Sequence, residues 1–115
     1  MRFDILAVLA ALAMNASADR MEVFTKCASC GMCESSTALF YTDYGTYKVN
    51  AQEGCRRTKV PGMVKFCVDW GKRRAHFKIS GQSKRCLTQD SENTHACPQV
   101  QCFRTTWREI PCHWR

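Results

Sequence analysis

The chain has 115 residues, nine cysteines, and 17 Lys and Arg against 10 Asp and Glu, for a formal charge of +7. So short a chain is read as one domain, and below roughly 100 residues a hydrophobic core is marginal without cross-links. The positive excess favours anionic partners, whether acidic polysaccharide, phospholipid headgroups or nucleic acid, and does not choose among them.

Arg2 precedes an apolar run from Ile5 to Met14, and Ala16-Ser17-Ala18 places small residues where a signal peptidase inspects them. Residues 1–18 are therefore expected to be a removable signal peptide, and residues 19–115 a single disulfide-stapled secreted domain beginning at Asp19. A membrane-spanning helix needs about 20 apolar residues, whereas this run is closed off by Asp19, Arg20 and Glu22. Arg2 and Asp4 leave together, so the charge stays with the domain. The one glycosylation sequon, Asn15-Ala16-Ser17, leaves too. Pro111-Cys112-His113-Trp114-Arg115 has neither a retrieval tetrapeptide nor a lipid-anchor tail, so the expected destination is extracellular.

Every cysteine (Cys27, Cys30, Cys33, Cys55, Cys67, Cys86, Cys97, Cys102 and Cys112) follows the leader, and an oxidising secretory route fills such residues with disulfides. Four bridges at about 2–4 kcal/mol each would match the net stability of a small domain. Nine is odd, so one cysteine is left over, either free or bonded to a second molecule. Crowding in Cys27-Ala28-Ser29-Cys30-Gly31-Met32-Cys33 makes that segment its expected source, with a disulfide-linked dimer as one outcome. The same segment invites a zinc site with His95 and Cys97, or a redox pair. The spacing matches no zinc ribbon and no βαβ unit surrounds it, so neither metal nor cofactor is expected.

Further along, turn residues recur between short runs of Val, Phe, Tyr, Thr and Trp, which is strand patterning. Thr37–Thr42 and Thr46–Asn50 flank Asp43-Tyr44-Gly45, a hairpin loop. Met63–Trp70 alternates Val64, Phe66, Val68 and Trp70 against Lys65, Cys67 and Asp69, and 75–79 alternates likewise, with Gly71-Lys72-Arg73-Arg74 between them. Lys84–Thr88 and Val100–Trp107 are further strands, separated by a polar loop at Gln89–Asn93. The expected architecture is a small disulfide-rich β (or α+β) domain with four to six short antiparallel strands. A short helical turn near Cys27–Ser35 or Asn50–Cys55 is its only helical element.

The basic stretch from Lys72 to Lys78, with Arg56-Arg57-Thr58-Lys59 and Lys84-Arg85 elsewhere, reads as a nucleic-acid or membrane-surface patch, or more simply as a solvated hairpin tip. Lys72, Arg73, Arg74 and His76, with the exposed aromatics Tyr44 and Trp114, form the candidate partner-binding surface, while Trp70 and Trp107 suit a core. A small ribonuclease is the enzyme these residues come nearest to, since it needs a general base, a general acid and a phosphate-binding Arg. Glu53, Glu109, His76, His95, His113 and Arg74 are available, but no spacing ties any two together. Serine- and cysteine-hydrolase motifs and phosphate loops are absent, and no catalytic residue is assigned.

The double Cys-x-x-Cys of 27–33, the Cys67 to Cys86 hairpin region and the closing Pro111-Cys112-His113-Trp114 resemble the small secreted cysteine-rich effector proteins of plant-pathogenic fungi, including the biotrophy-associated secreted type. That resemblance implies a non-enzymic virulence protein that binds a host protein or cell-wall component during colonisation, in the apoplast or inside host cells after uptake. It transfers no functional residue. A secreted antimicrobial or killer-type toxin is the principal alternative, and a ribonuclease the next.

Overall fold

Alternation governs the strands. In the segment from Arg20 to Cys27, Met21 and Val23 are fully buried while Arg20 and Lys26 face water, and in the segment from Arg74 to Ile79, Ala75 and Phe77 are buried while Lys78 is exposed. A period of two places one face on a core and the other in solvent. The computed structural model describes residues 18–28, 31–98 and 100–114.

Eight strands result: β1 (Arg20–Cys27), β2 (Cys33–Thr42), β3 (Gly45–Val49), β4 (Gly54–Arg56), β5 (Met63–Asp69), β6 (Arg74–Ile79), β7 (Arg85–Cys97) and β8 (Val100–Ile110). They form one antiparallel sheet in the order β3-β2-β1-β8-β7-β6-β5-β4. Two meanders, β1 to β3 and β4 to β8, are thus joined by pairing the first strand with the last.

The sheet curls. Between β2 and β6 lie four strand spacings, about 19 Å if the sheet were flat. Yet the Phe40 ring of β2 is edge-on to Phe77 of β6 at 5.0 Å and to Phe66 of β5 at 6.1 Å. Trp70, at the end of β5, meets Trp107 of β8 at 5.2 Å. Met21, Val23, Phe40, Phe66, Phe77, Leu87 and Trp107 fill the interior. The Trp107 indole N–H donates to the buried Thr105 hydroxyl at 2.9 Å, and the Trp70 indole N–H to the Ala51 carbonyl at 2.8 Å, so each ring is enclosed without an orphaned donor.

Four disulfides staple this sheet: Cys27–Cys33 across the β1–β2 turn, Cys55–Cys67 between β4 and β5, Cys97–Cys102 at the β7–β8 tip, and Cys86–Cys112 between β7 and the chain beyond β8. Eight cysteines are thereby paired, and Cys30 lies outside the described residues. The expected leader, except for Ala18, also lies outside them. Among the described residues no helix is long and apolar enough to cross a membrane.

The disulfide-rich antiparallel β class agrees with the sequence reading, which differs from the structure in several details. The strands number eight, not four to six. Residues 20–27 pair on both sides as β1, and the polar Gln89–Asn93 segment is strand, not loop, because β8 pairs with it up to Cys97. Neither suspected helical turn is present in the described parts of those segments. Val64 does not share the inward face of Phe66. A bulge between Met63 and Lys65 turns Met63 inward and leaves Val64 40% exposed.

Candidate functional site

On the outer face of β6 the register places His76 between Cys67 of β5 and Cys86 of β7, so the imidazole is flanked by members of two different disulfides. The Cys86–Cys112 bridge turns the chain back after β8. The returning tail sets the Trp114 indole against the Arg74 guanidinium, 4.6 Å from its carbon to the ring centroid, with Lys84 Nζ at 5.9 Å. Lys84 Nζ also donates to the Trp114 carbonyl at 2.7 Å, and the His113 ring stands edge-on to the indole at 5.0 Å. A cation over an indole face is attracted by the ring quadrupole, and the disulfide holds the two together.

The surroundings are strongly positive. Lys65 and Lys78 are direct cross-strand partners, an arrangement that costs stability because like charges face each other. Burial, together with Lys84, Lys65 and Arg74, holds the His76 imidazole below its ordinary value, so it is neutral at pH 7. A cleft of about 260 Å³ is lined by Arg74, His76 and Trp114 together with Glu53, Asp69 and the Cys55–Cys67 bridge. The arrangement can hold an anion by Arg and Lys and stack a planar or apolar group on the indole.

Of the predicted surface, Arg74, His76 and Trp114 are therefore brought together. Lys72 and Arg73 lie in the adjoining β5–β6 turn, both exposed, with the Lys72 amide donating to Asp69 Oδ1 at 3.1 Å and Arg73 at a φ of 52°. Tyr44 does not join them. It occupies the tip of the β2–β3 hairpin, 94% exposed, and lines a different cleft with Asp19, Tyr47 and Arg85.

The other basic pairs are divided by the fold. Arg56 caps the 50–53 segment, donating to the carbonyls of Asn50, Gln52 and Glu53 at 2.8–3.1 Å. Arg85, next to Lys84, turns the other way and pairs with both carboxylate oxygens of Glu109 at 2.7 and 2.8 Å. Sequence reasoning left Lys65 out of the site and set Lys84 only among the other basic pairs, because strand register and the tail disulfide are what bring the two to His76.

Among the ribonuclease candidates, Glu53, Arg74 and His76 line one cleft. Glu53 Oε1 accepts the Trp70 amide N–H at 2.9 Å. Glu109 is engaged elsewhere with Arg85, and the His95 side chain lies outside the described residues. Cys27, Cys33 and Cys97 are disulfide-bonded and so present no thiolate to a metal. A larger cleft, about 610 Å³, opens where β1, β2 and β8 pass beyond the core. Its described lining includes Thr25, Ser35, Trp70, Phe103, Glu53 and Glu92 and no basic residue, so it does not suit an anion.

No protein-family model matches the sequence, and no curated protein or solved structure is significantly similar to it.

Proposed function

We propose that this is a secreted, non-enzymic binding protein of the effector type, which engages an anionic host component through the Arg74–His76–Lys84–Trp114 surface. The observation that carries the reading is the stacking of Arg74 on Trp114, held by Cys86–Cys112 over a cluster of cations. Disulfides suit the protein to an environment rich in proteases, and the half-buried cation–aromatic contacts of Arg74 and Lys84 with Trp114 pre-order the surface, which lowers the entropic cost of binding. Retention on immobilised heparin, read as the eluting salt concentration, tests it. Arg74→Ala with Lys84→Ala is expected to lower that concentration substantially, because each lost anion contact flattens the salt dependence. Unchanged elution refutes the reading.

A ribonuclease is the second reading, favoured by Glu53, His76 and Arg74 lining one cleft. RNA cleavage abolished by Glu53→Gln or His76→Ala would establish it in place of the first. The ninth cysteine adds a covalent option to the binding reading. With eight cysteines paired within the chain, Cys30 remains to bond a second molecule, and a non-reducing gel showing only monomer with one titratable thiol would exclude such a dimer.

A further inference from the structure

Among the described residues, Asp19 sits in a cluster where carboxylates outnumber cations. Its backbone nitrogen is 2.8 Å from Glu109 Oε1, and its carbonyl accepts the Glu109 amide N–H at 3.1 Å. Its carboxylate lies 3.4 Å from the Arg85 guanidinium, which also binds both oxygens of Glu109. Asp19 is only 7% exposed. Asp43, from the β2–β3 turn, adds a further negative charge near it. Burial, Glu109 and Asp43 push the Asp19 carboxyl up to about 6, although Arg85 pulls it down. Two clustered carboxylates share one guanidinium, with the phenols of Tyr44 and Tyr47 lining the same cleft.

The chain itself can supply a second positive charge at Asp19. The bond before Asp19 is the one that Ala16-Ser17-Ala18 marks for cleavage, and Ala18 is exposed. Hydrolysis there adds water across the Ala18–Asp19 peptide bond. Ala18 takes the carboxylate, and Asp19 keeps a nitrogen that is protonated at neutral pH. We infer that Asp19 is the N-terminus of the working protein and that its new ammonium is held by Glu109, so that processing completes the Asp19–Arg85–Glu109 cluster and fixes the start of β1 against β8. The neutral amide already makes this contact, so cleavage changes its charge and not its geometry. A charge-assisted bond is roughly twice as strong as a neutral one.

The first experiment takes the protein secreted from the full sequence, identifies its N-terminal residue by intact mass, and titrates its α-amine by NMR. Asp19 is expected first, with the amine titrating well above the ordinary range of about 7.7–8.0 and returning to it in Glu109→Gln. A different first residue, or an ordinary amine in the native protein, overturns the inference. The second compares the same residues 19–115 with a free and with an acetylated Asp19 amine. Acetylation is expected to raise the unfolded-to-folded ratio about tenfold at pH 7, or 1.4 kcal/mol. An amine whose affinity for protons rises on folding contributes fully below its unfolded value and loses that contribution as pH rises through its folded one. The difference between the two forms should therefore vanish in strong alkali, and equal stability at pH 7 refutes the ion pair.

Discussion

Removing Cys86–Cys112 separates what holds the fold from what builds the surface. The bridge spans 26 positions, the longest separation of the four, and the chain-entropy relation assigns it about 3.5 kcal/mol, against about 2 kcal/mol for Cys97–Cys102 with a separation of 5. Cys86 is fully buried, so replacing it adds a small packing loss to the entropic one. Cys86→Ala with Cys112→Ser should therefore lower the urea midpoint more than opening any other single bridge, and lower Tm on the order of 15–25 °C. It should also weaken heparin retention, because only non-covalent contacts such as the Lys84–Trp114 carbonyl bond then hold Trp114 near Arg74. A chain ending at Cys112 supplies the control. It keeps the bridge and loses the indole and the carbonyl that Lys84 binds, so heparin retention should fall while the urea midpoint barely moves. A double variant that loses less than about 1 kcal/mol would refute the entropic argument, and a truncated chain that binds as the whole one does would refute the role of Trp114.

Phe40→Ala removes the ring that joins β2 to β5 and β6 and should cost about 3–5 kcal/mol in urea denaturation; a loss below 1 kcal/mol would mean that the curled sheet does not close there. Because folding holds the His76 imidazole below its ordinary value, its contribution to stability is complete above about pH 6.5 and declines as pH falls below that. His76→Gln should flatten the stability profile in that window, and Lys65→Gln should raise the imidazole value measured by NMR. Heparin binding should raise it as well, so affinity should increase on acidification. Arg73, at a φ of 52°, is in the left-handed region that costs a side chain roughly 1–2 kcal/mol, and Arg73→Gly should stabilise the β5–β6 turn by up to that amount in the same assay. Tyr44→Ala should leave both stability and heparin retention unchanged, since its ring is almost wholly in water and lines a different cleft from Trp114.

Local chemistry made much of the fold legible. Thr42 closes the turn within the predicted Asp43-Tyr44-Gly45 loop, its hydroxyl accepting the Tyr44 and Gly45 amides at 3.1 and 3.2 Å, and alternation at 75–79 identified β6 with its outward His76, while Arg74, read as part of the connection, begins the strand. Two misreadings have separate causes. Gln89–Asn93 looked like a loop because polarity was taken for absence of structure, yet a strand whose outer edge meets solvent can be polar throughout if a neighbour satisfies its backbone. The bulge at Met63–Lys65 reversed the face of Val64, because a single extra residue shifts the period of two and sequence alternation alone does not register it.

By itself the sequence determined the class: a small, basic, cysteine-rich chain with period-two strands and polar turns becomes an antiparallel sheet stapled by disulfides, because neither its length nor its apolar content supports a larger core. Which cysteines meet, and which basic residues act together, belonged to the tertiary structure. Lys84 and Arg85 are adjacent in the chain, yet one joins Trp114 and the other is drawn to Asp19 and Glu109. His76 and Lys65 are distant in sequence and neighbours in the sheet. Pairing register and the curl of the sheet make those choices, and both arise from the summed burial of Phe40, Phe66, Phe77 and Trp107, contributed by four different strands and thus carried by no local segment.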